Sequence, residues 1–183
     1  MRYAQIRSMD ISNGEGVGVS LFVQGCPFHC FNCFNPETWD FNGGKEWTTN
    51  TKEHFIKLID RPYIKRVSFL GGEPLAKENI DEICELIRDI KKMFPDKTIW
   101  LYTGFQFELL QSEYNEYSYT PFANNADEWL TRWEIISNVD ILVDGRYIDD
   151  LKDYKLAWKG SSNQKVIDIQ KTLKQERIVL YCD

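Results

Sequence analysis

The chain has 183 residues, five cysteines, a net charge of −6 and 43% apolar residues, which fits one globular domain with a core that does not depend on disulfides. The acid excess argues against a sequence-independent grip on nucleic acid, which needs clustered Lys and Arg. No apolar run approaches the roughly 20 residues needed to cross a bilayer, so neither nucleic acid nor membrane is an expected partner.

The opening residues lack the basic-then-apolar layout of a signal peptide, so the expected location is cytoplasmic, with reduced thiols. After a glycine-rich turn, residues 19–23 form a short apolar run that predicts a buried strand. The cysteine loop follows at once. Residues 51–60 predict a helix with Phe55, Ile56 and Ile59 on one face, and residues 64–70 predict a strand ending at Gly71-Gly72. Ile80, Ile83, Ile87, Ile90 and Phe94 recur at helical spacing, and Pro95 closes that helix. Residues 98–103 read as a strand ending at Gly104, and the polar, Tyr-rich stretch 111–125 reads as a loop or insertion. Residues 126–137 read as a helix, 139–144 as a strand and 177–182 as a last strand.

Several of these strands are continuous apolar runs, as expected where both faces of a sheet are covered. The alternation of strand and helix predicts a single α/β domain over residues 1–183 with a mainly parallel sheet. A full eight-stranded barrel typically needs about 250 residues, so any barrel must be partial. The cysteines, Gly71-Gly72-Glu73, Thr103-Gly104 and Asp144-Gly145 all fall just after strands. Parallel α/β sheets bind ligands at that carboxyl edge.

Five is an odd number, so a complete disulfide framework is excluded. Cys26, Cys30 and Cys33 lie within eight residues, spaced Cys-x3-Cys-x2-Cys. Three thiolates from one loop suit three irons of a 4Fe–4S cube and leave the fourth iron open for chemistry. A zinc site completed by His29 and a set of redox thiols are the other readings. Zinc sites usually show two spaced ligand pairs, and no second pair is present. Cys84, inside the strong helix, and Cys182 read as small buried side chains.

The Cys-x3-Cys-x2-Cys loop and Gly71-Gly72-Glu73-Pro74, each behind a strand, resemble the cluster loop and GGEP motif of the radical SAM superfamily. Residues 1–7, 35–41, 100–104, 139–145 and 160–164 extend the similarity, over nearly the whole chain, to glycyl-radical-enzyme activases. The resemblance is weakest over 111–125. Two departures are Asn13-Gly14-Glu15-Gly16, where the family commonly has a proline and a following arginine, and Lys165, where arginine often stands.

The resemblance implies a partial (β/α) barrel of the radical SAM type. It implies a 4Fe–4S cluster on Cys26, Cys30 and Cys33 that reductively cleaves S-adenosylmethionine (SAM), and a 5′-deoxyadenosyl radical that takes hydrogen from a glycine Cα of a partner. The implied partner is the large subunit of an anaerobic ribonucleotide reductase, with a flavodoxin or ferredoxin as electron donor. Implied cofactor contacts are Asn32, Cys33 and Phe34 for the adenine, and Gly71, Gly72 and Glu73 for the methionine ammonium. Glycines let backbone approach a ligand closely.

Asp144 is a candidate for a cation or ribose contact, against a helix cap or turn. Ser161, Ser162 and Asn163 read as a polar turn that can shape the pocket. His54 reads as surface, Trp129 and Trp133 as core or docking surface, and Tyr114, Tyr117 and Tyr119 as a flexible loop. The alternatives are another small radical SAM enzyme resembling the deazaguanine-forming synthase, or a non-enzymatic zinc or electron-transfer module. Asn32-Cys33-Phe34-Asn35 favours the activase over the synthase, which usually shows Trp and Cys-Asp there.

Overall fold

A computed structural model describes residues 1–120 and 123–182. One eight-stranded sheet has the order β3-β1-β2-β4-β5-β6-β7-β8. Its strands are β1 (Arg2–Asp10), β2 (Gly18–Val23), β3 (Lys45–Glu46), β4 (Arg66–Gly71), β5 (Thr98–Tyr102), β6 (Ile141–Asp144), β7 (Lys165–Asp168) and β8 (Leu180–Cys182). The helices are α1 (Thr49–Ile59), α2 (Lys77–Met93), α3 (Phe107–Tyr119), α4 (Ala126–Asn138) and α5 (Ile169–Gln175).

The sheet is mixed, which corrects the expectation of a mainly parallel one. β2, β4, β5 and β6 pair in parallel at its centre, while β1, β3, β7 and β8 join by antiparallel pairings. The four central strands are the apolar runs visible in the sequence. β1 is largely half-exposed, so its side chains carry no apolar run.

The main core lies between one face of the sheet and the helices. Val19, Leu21, Val67, Phe69, Ile99, Leu101 and Leu142 point into it from the strands. Helix α2 meets them with Ile80, Ile83, Leu86, Ile87 and Ile90, all buried, and Lys91 and Lys92 complement the dipole at its last turn. Phe94, followed by Pro95, ends it. Helix α1 starts at Thr48, whose side chain accepts from Thr51 N at 3.2 Å.

The other sheet face is buried by loops. Trp100 meets Trp158 and Tyr181 edge to face at 5.1 and 5.4 Å. Arg66, fully buried, pairs with Asp10 at 3.1 Å, and its Nη1 donates to Ser68 Oγ at 2.6 Å. The loop after β1 closes over them, with Ser68 Oγ donating to Asn13 O at 2.7 Å. Gly14 (φ +126°) permits this close approach, since a Cβ there would lie 2.7 Å from the Trp100 ring.

Residues 111–119, read from sequence as loop, continue helix α3. Only Phe107 and Leu110 of this helix are buried, so its periodicity is faint. Tyr114 stacks on Trp133 at 5.0 Å and fastens α3 to α4. Residues 121 and 122 of the supposed insertion lie outside the described residues. No helix of the described residues is long and apolar enough to cross a membrane.

Candidate functional site

The cysteine loop leaves β2 and folds back on itself. Gly25 N donates to Thr38 O at 2.8 Å and Cys26 N to Trp39 O at 3.1 Å, which closes the loop at its base. Gln24 braces it from below, its Nε2 donating to the carbonyls of Glu37 and Asp40 at 2.9 Å each. His29 (φ +46°) and Asn32 (φ +53°) take left-handed conformations that turn the chain between cysteines. His29 stacks on Trp39 at 4.8 Å.

Cys26, Cys30 and Cys33 are all half-buried on this loop, and they and Cys84 are outside any disulfide. Burial pushes the Cys26 thiol up to about 11, and the amide of Asn35 donates to Cys33 Sγ at 3.4 Å. Cys84 is buried in α2, apart from this loop.

The Gly-Gly-Glu turn after β4 packs directly beneath the cysteine loop. Gly71 (φ +100°) and Gly72 allow this contact. Cβ atoms there would lie 2.8 Å from Phe22 and 2.4 Å from Gly25 O. The two glycines thus serve backbone-to-backbone approach. Gly72 N donates to Val23 O at 2.9 Å, and Glu73 N to Gly25 O at 2.7 Å. Asn79, on the first turns of α2, donates to both Gln24 O and Glu73 O at 3.0 Å.

The Glu73 carboxylate points inward and is 1% exposed. It accepts from Thr103 Oγ1 and Gly104 N at 2.7 Å and from Leu75 N at 2.9 Å. It therefore locks the ends of β4 and β5 together. Burial raises its pKa to about 7, against the pull of those three donors.

Asp144 is completely buried. Its Oδ2 accepts from Phe107 N at 2.8 Å, at the start of α3, and lies 3.4 Å from the Lys165 ammonium. Its Oδ1 accepts from Lys165 N. These partners make Asp144 a helix-capping and strand-pairing residue. Burial raises its pKa.

The loop after β6 faces the cysteine loop. Arg146 Nη2 donates to Phe28 O at 2.8 Å, and Asn32 Nδ2 donates to Asp149 Oδ2 at 2.9 Å. Phe34, 56% exposed, is not a core residue. Its ring lies 5.0 Å from Tyr147, and Lys152 Nζ lies 5.3 Å from its centre. The turn after Trp158 braces this loop. Ser161 Oγ accepts from Ile148 N, Asn163 Nδ2 donates to Arg146 O, and Gln164 Nε2 donates to Gly145 O.

A cleft of about 360 Å³ opens between the two loops, lined by Cys30, Phe31 and residues 146–150. Of the residues singled out in the sequence, Cys30 alone lines it. Arg146, Asn79 and Gln24 escaped that reading. Arg146 directly follows the Asp144-Gly145 turn, which was the signal pointing to it.

Cys26, Cys30 and Cys33 are thiols outside any disulfide on one loop, the donor type an iron–sulfur cube takes. Each thiolate of a cube binds a separate iron, whereas one zinc ion about 2.3 Å from every sulfur needs the sulfurs to converge. Among the described residues, no three or more His, Cys, Asp or Glu side chains are gathered to hold a single metal ion.

The arrangement is that of an α/β protein carrying a cysteine loop at the carboxyl edge of its central strands. Residues 12–167 match the family described as a 4Fe-4S single cluster domain. The anaerobic ribonucleoside-triphosphate reductase-activating protein of Escherichia coli K12 is 34% identical over 168 residues, covering 91% of this chain and 97% of that protein. The protein of that name from enterobacteria phage T4 is 34% identical over 166 residues, covering 91% and 93%. The one from Haemophilus influenzae is 30% identical, covering 90% and 96%. The chain belongs to the 4Fe-4S single cluster domain family and to the family of these activating proteins.

Proposed function

We propose that the protein is a radical SAM activase, folded as one domain with a partial barrel, that installs a glycyl radical on the large subunit of an anaerobic ribonucleotide reductase. The observation that carries this reading is the position of the Cys26–Cys30–Cys33 loop. It lies at the carboxyl edge of β2, β4, β5 and β6, in a chain 34% identical to proteins named for activating that reductase.

Cys26, Cys30 and Cys33 would hold three irons of a 4Fe–4S cluster. When bound, cluster and SAM would supply one-electron cleavage of the sulfonium S–C5′ bond, releasing methionine and providing the means to remove one hydrogen atom from a glycine Cα. The single electron comes from a flavodoxin- or ferredoxin-type donor. The protein's own residues position and shield these groups. Gln24 and Asn79 fix the base of the cysteine loop, and Glu73 and Gly72 seat it on the sheet. Asn32 and Arg146 tie its tip to the loop after β6. Asn32, Cys33 and Phe34 present backbone and a half-exposed ring to an adenine.

The test is electron paramagnetic resonance of the reductase after anaerobic incubation with this protein, SAM and a reductant. A glycyl-radical doublet that requires all of these is expected. Cys26→Ala, Cys30→Ala or Cys33→Ala should abolish both the doublet and SAM cleavage, while Cys84→Ala keeps its iron. SAM cleavage with no doublet on the reductase would defeat the activase reading. Iron loss in Cys84→Ala would defeat the three-ligand assignment.

A further inference from the structure

Helix α4 turns a charged side chain into the interior. Arg132 is 6% exposed, and no step of the proposed chemistry uses it. Its Nε donates to Leu75 O at 2.9 Å, in the turn that continues Gly71-Gly72-Glu73. Its Nη2 donates to Glu128 Oε2 at 3.3 Å, and Glu128 Oε1 meets Lys77 Nζ at 2.6 Å. The guanidinium carbon lies 4.5 Å from the centre of the Trp129 ring and 5.2 Å from that of Phe105.

Phe105 carries the contact on to the cysteine loop. It meets Phe28, between Cys26 and Cys30, edge to face at 5.1 Å. Phe28 in turn lies against Gly104, where a Cβ would come 2.4 Å from its ring. One side chain from α4 thus reaches the turn after β4 and, through a single aromatic ring, the cysteine loop. A planar guanidinium can donate to a carbonyl while it rests against aromatic rings, a pairing that the compact ammonium of lysine does not reproduce. An apolar side chain would pack against the same rings without the cost of burying a charge. What the charge adds is the hold on Leu75 O.

We propose that Arg132 is a positioning residue that fixes the turn 71–75 against the cysteine loop, so that the turn's backbone is placed to meet the ammonium of SAM. The inference rests on the radical SAM reading above for what the turn binds. The Leu75 carbonyl anchors the far end of the turn on α4. The amides of Gly72 and Glu73 pin its near end to Val23 O and Gly25 O at 2.9 and 2.7 Å. Residue 132 therefore ties α4 to the site, although nothing on that helix belongs to either motif.

The experiment is amide hydrogen exchange of the reconstituted 4Fe–4S protein under anaerobic conditions, read by mass spectrometry, together with iron content and SAM affinity by equilibrium dialysis. Arg132→Met keeps an apolar stem against the rings and leaves Glu128 paired with Lys77. It should keep its iron and exchange the Gly72 and Glu73 amides about ten- to a hundredfold faster, the usual worth of a hydrogen bond from a charged group. Its SAM affinity should fall by roughly tenfold. Arg132→Lys keeps the charge without the plane and should fall between Arg132→Met and wild type on both measures. Ile83→Ala weakens the core from the middle of α2 and should leave the turn amides and SAM affinity at wild-type values.

Wild-type exchange at Gly72 and Glu73 in Arg132→Met would overturn the proposal, because the turn would hold without Arg132. Faster exchange with wild-type SAM affinity would overturn it too and leave Arg132 as a brace of the fold. Equal loosening of the turn in Ile83→Ala would overturn it by reducing the effect to general instability. Failure of the iron-loaded wild type to bind SAM at all would instead bring down the radical SAM reading, and this inference with it.

Discussion

Glu73 shows how a motif residue can belong to the scaffold. A carboxylate 1% exposed requires partners, and Glu73 has three, drawn from Thr103, Gly104 and Leu75. Burial nevertheless outweighs them and raises its pKa from 4.5 to about 7. The native carboxyl then binds its proton more tightly than the unfolded one. Between about pH 4.5 and 7 the native state holds more protons, so stability falls as pH rises through that window and levels off above it. The loss is on the order of 3 kcal/mol.

Urea melts from pH 4.5 to 8 should show this slope in the wild type and a flattened one in Glu73→Gln. The same slope in both would show that Glu73 is not its source. The importance of Glu73 was legible in the Gly71-Gly72-Glu73-Pro74 motif. The direction of its carboxylate was not, because two of its three donors, Thr103 and Gly104, lie 30 and 31 residues away in chain, just after β5.

At the scale of elements, α2 carries the strongest apolar face, and α3 nearly none. Ile83→Ala removes a fully buried side chain and should cost about 2–5 kcal/mol in a urea melt. Leu109→Ala, on the exposed side of α3 at 41%, should stay within about 0.5 kcal/mol. Equal effects would contradict the layer assignment.

The same contrast explains which elements were legible. β2, β4, β5, β6 and α2 bury most of their side chains and announce themselves as apolar patterns. β1 is antiparallel and partly exposed, β7 has only four residues, and α3 turns a polar, Tyr-rich face outward. Their stability comes from partners distant in sequence, such as Val23 opposite Tyr3 and Trp133 beneath Tyr114.

For the molecule as a whole, the two faces of the sheet are built differently. The helical face is mainly apolar, with Asn79 and Arg132 buried near the Glu73 turn, while the opposite face buries the Arg66–Asp10 pair with Ser20 and Ser68. Nε of Arg66 and the Tyr102 hydroxyl are buried there without a hydrogen-bond partner among the described residues. Removing one member of a buried pair strands the other charge, at about 3–5 kcal/mol. Asp10→Asn should therefore destabilise strongly, and Asp10→Asn combined with Arg66→Met should recover much of that loss. If the double variant is as unstable as the sum of the singles, the pair is not the coupling element.

Burial acts to raise the Asp10 pKa, but hydrogen bonds from Asn13, Ser12 and Ser20 overcome it and bring it to about 2, below the ordinary 3.8. Its contribution is present above about pH 4 and disappears as pH falls through about 2.

The spacing of Cys26, Cys30 and Cys33, the glycine turn after β4 and the four apolar strands pointed to a 4Fe-4S protein and to the sheet edge that carries its cysteine loop, because thiol spacing, glycine pairs and apolar runs are local signals. Tertiary structure decided the rest. It sent Glu73 and Asp144 inward to hold strand and helix ends, left Phe34 half-exposed, made the sheet mixed, and brought Arg146 over the cysteine loop from 118 residues away. Side-chain direction depends on what the remaining chain packs against each residue, and no short stretch of sequence carries that information.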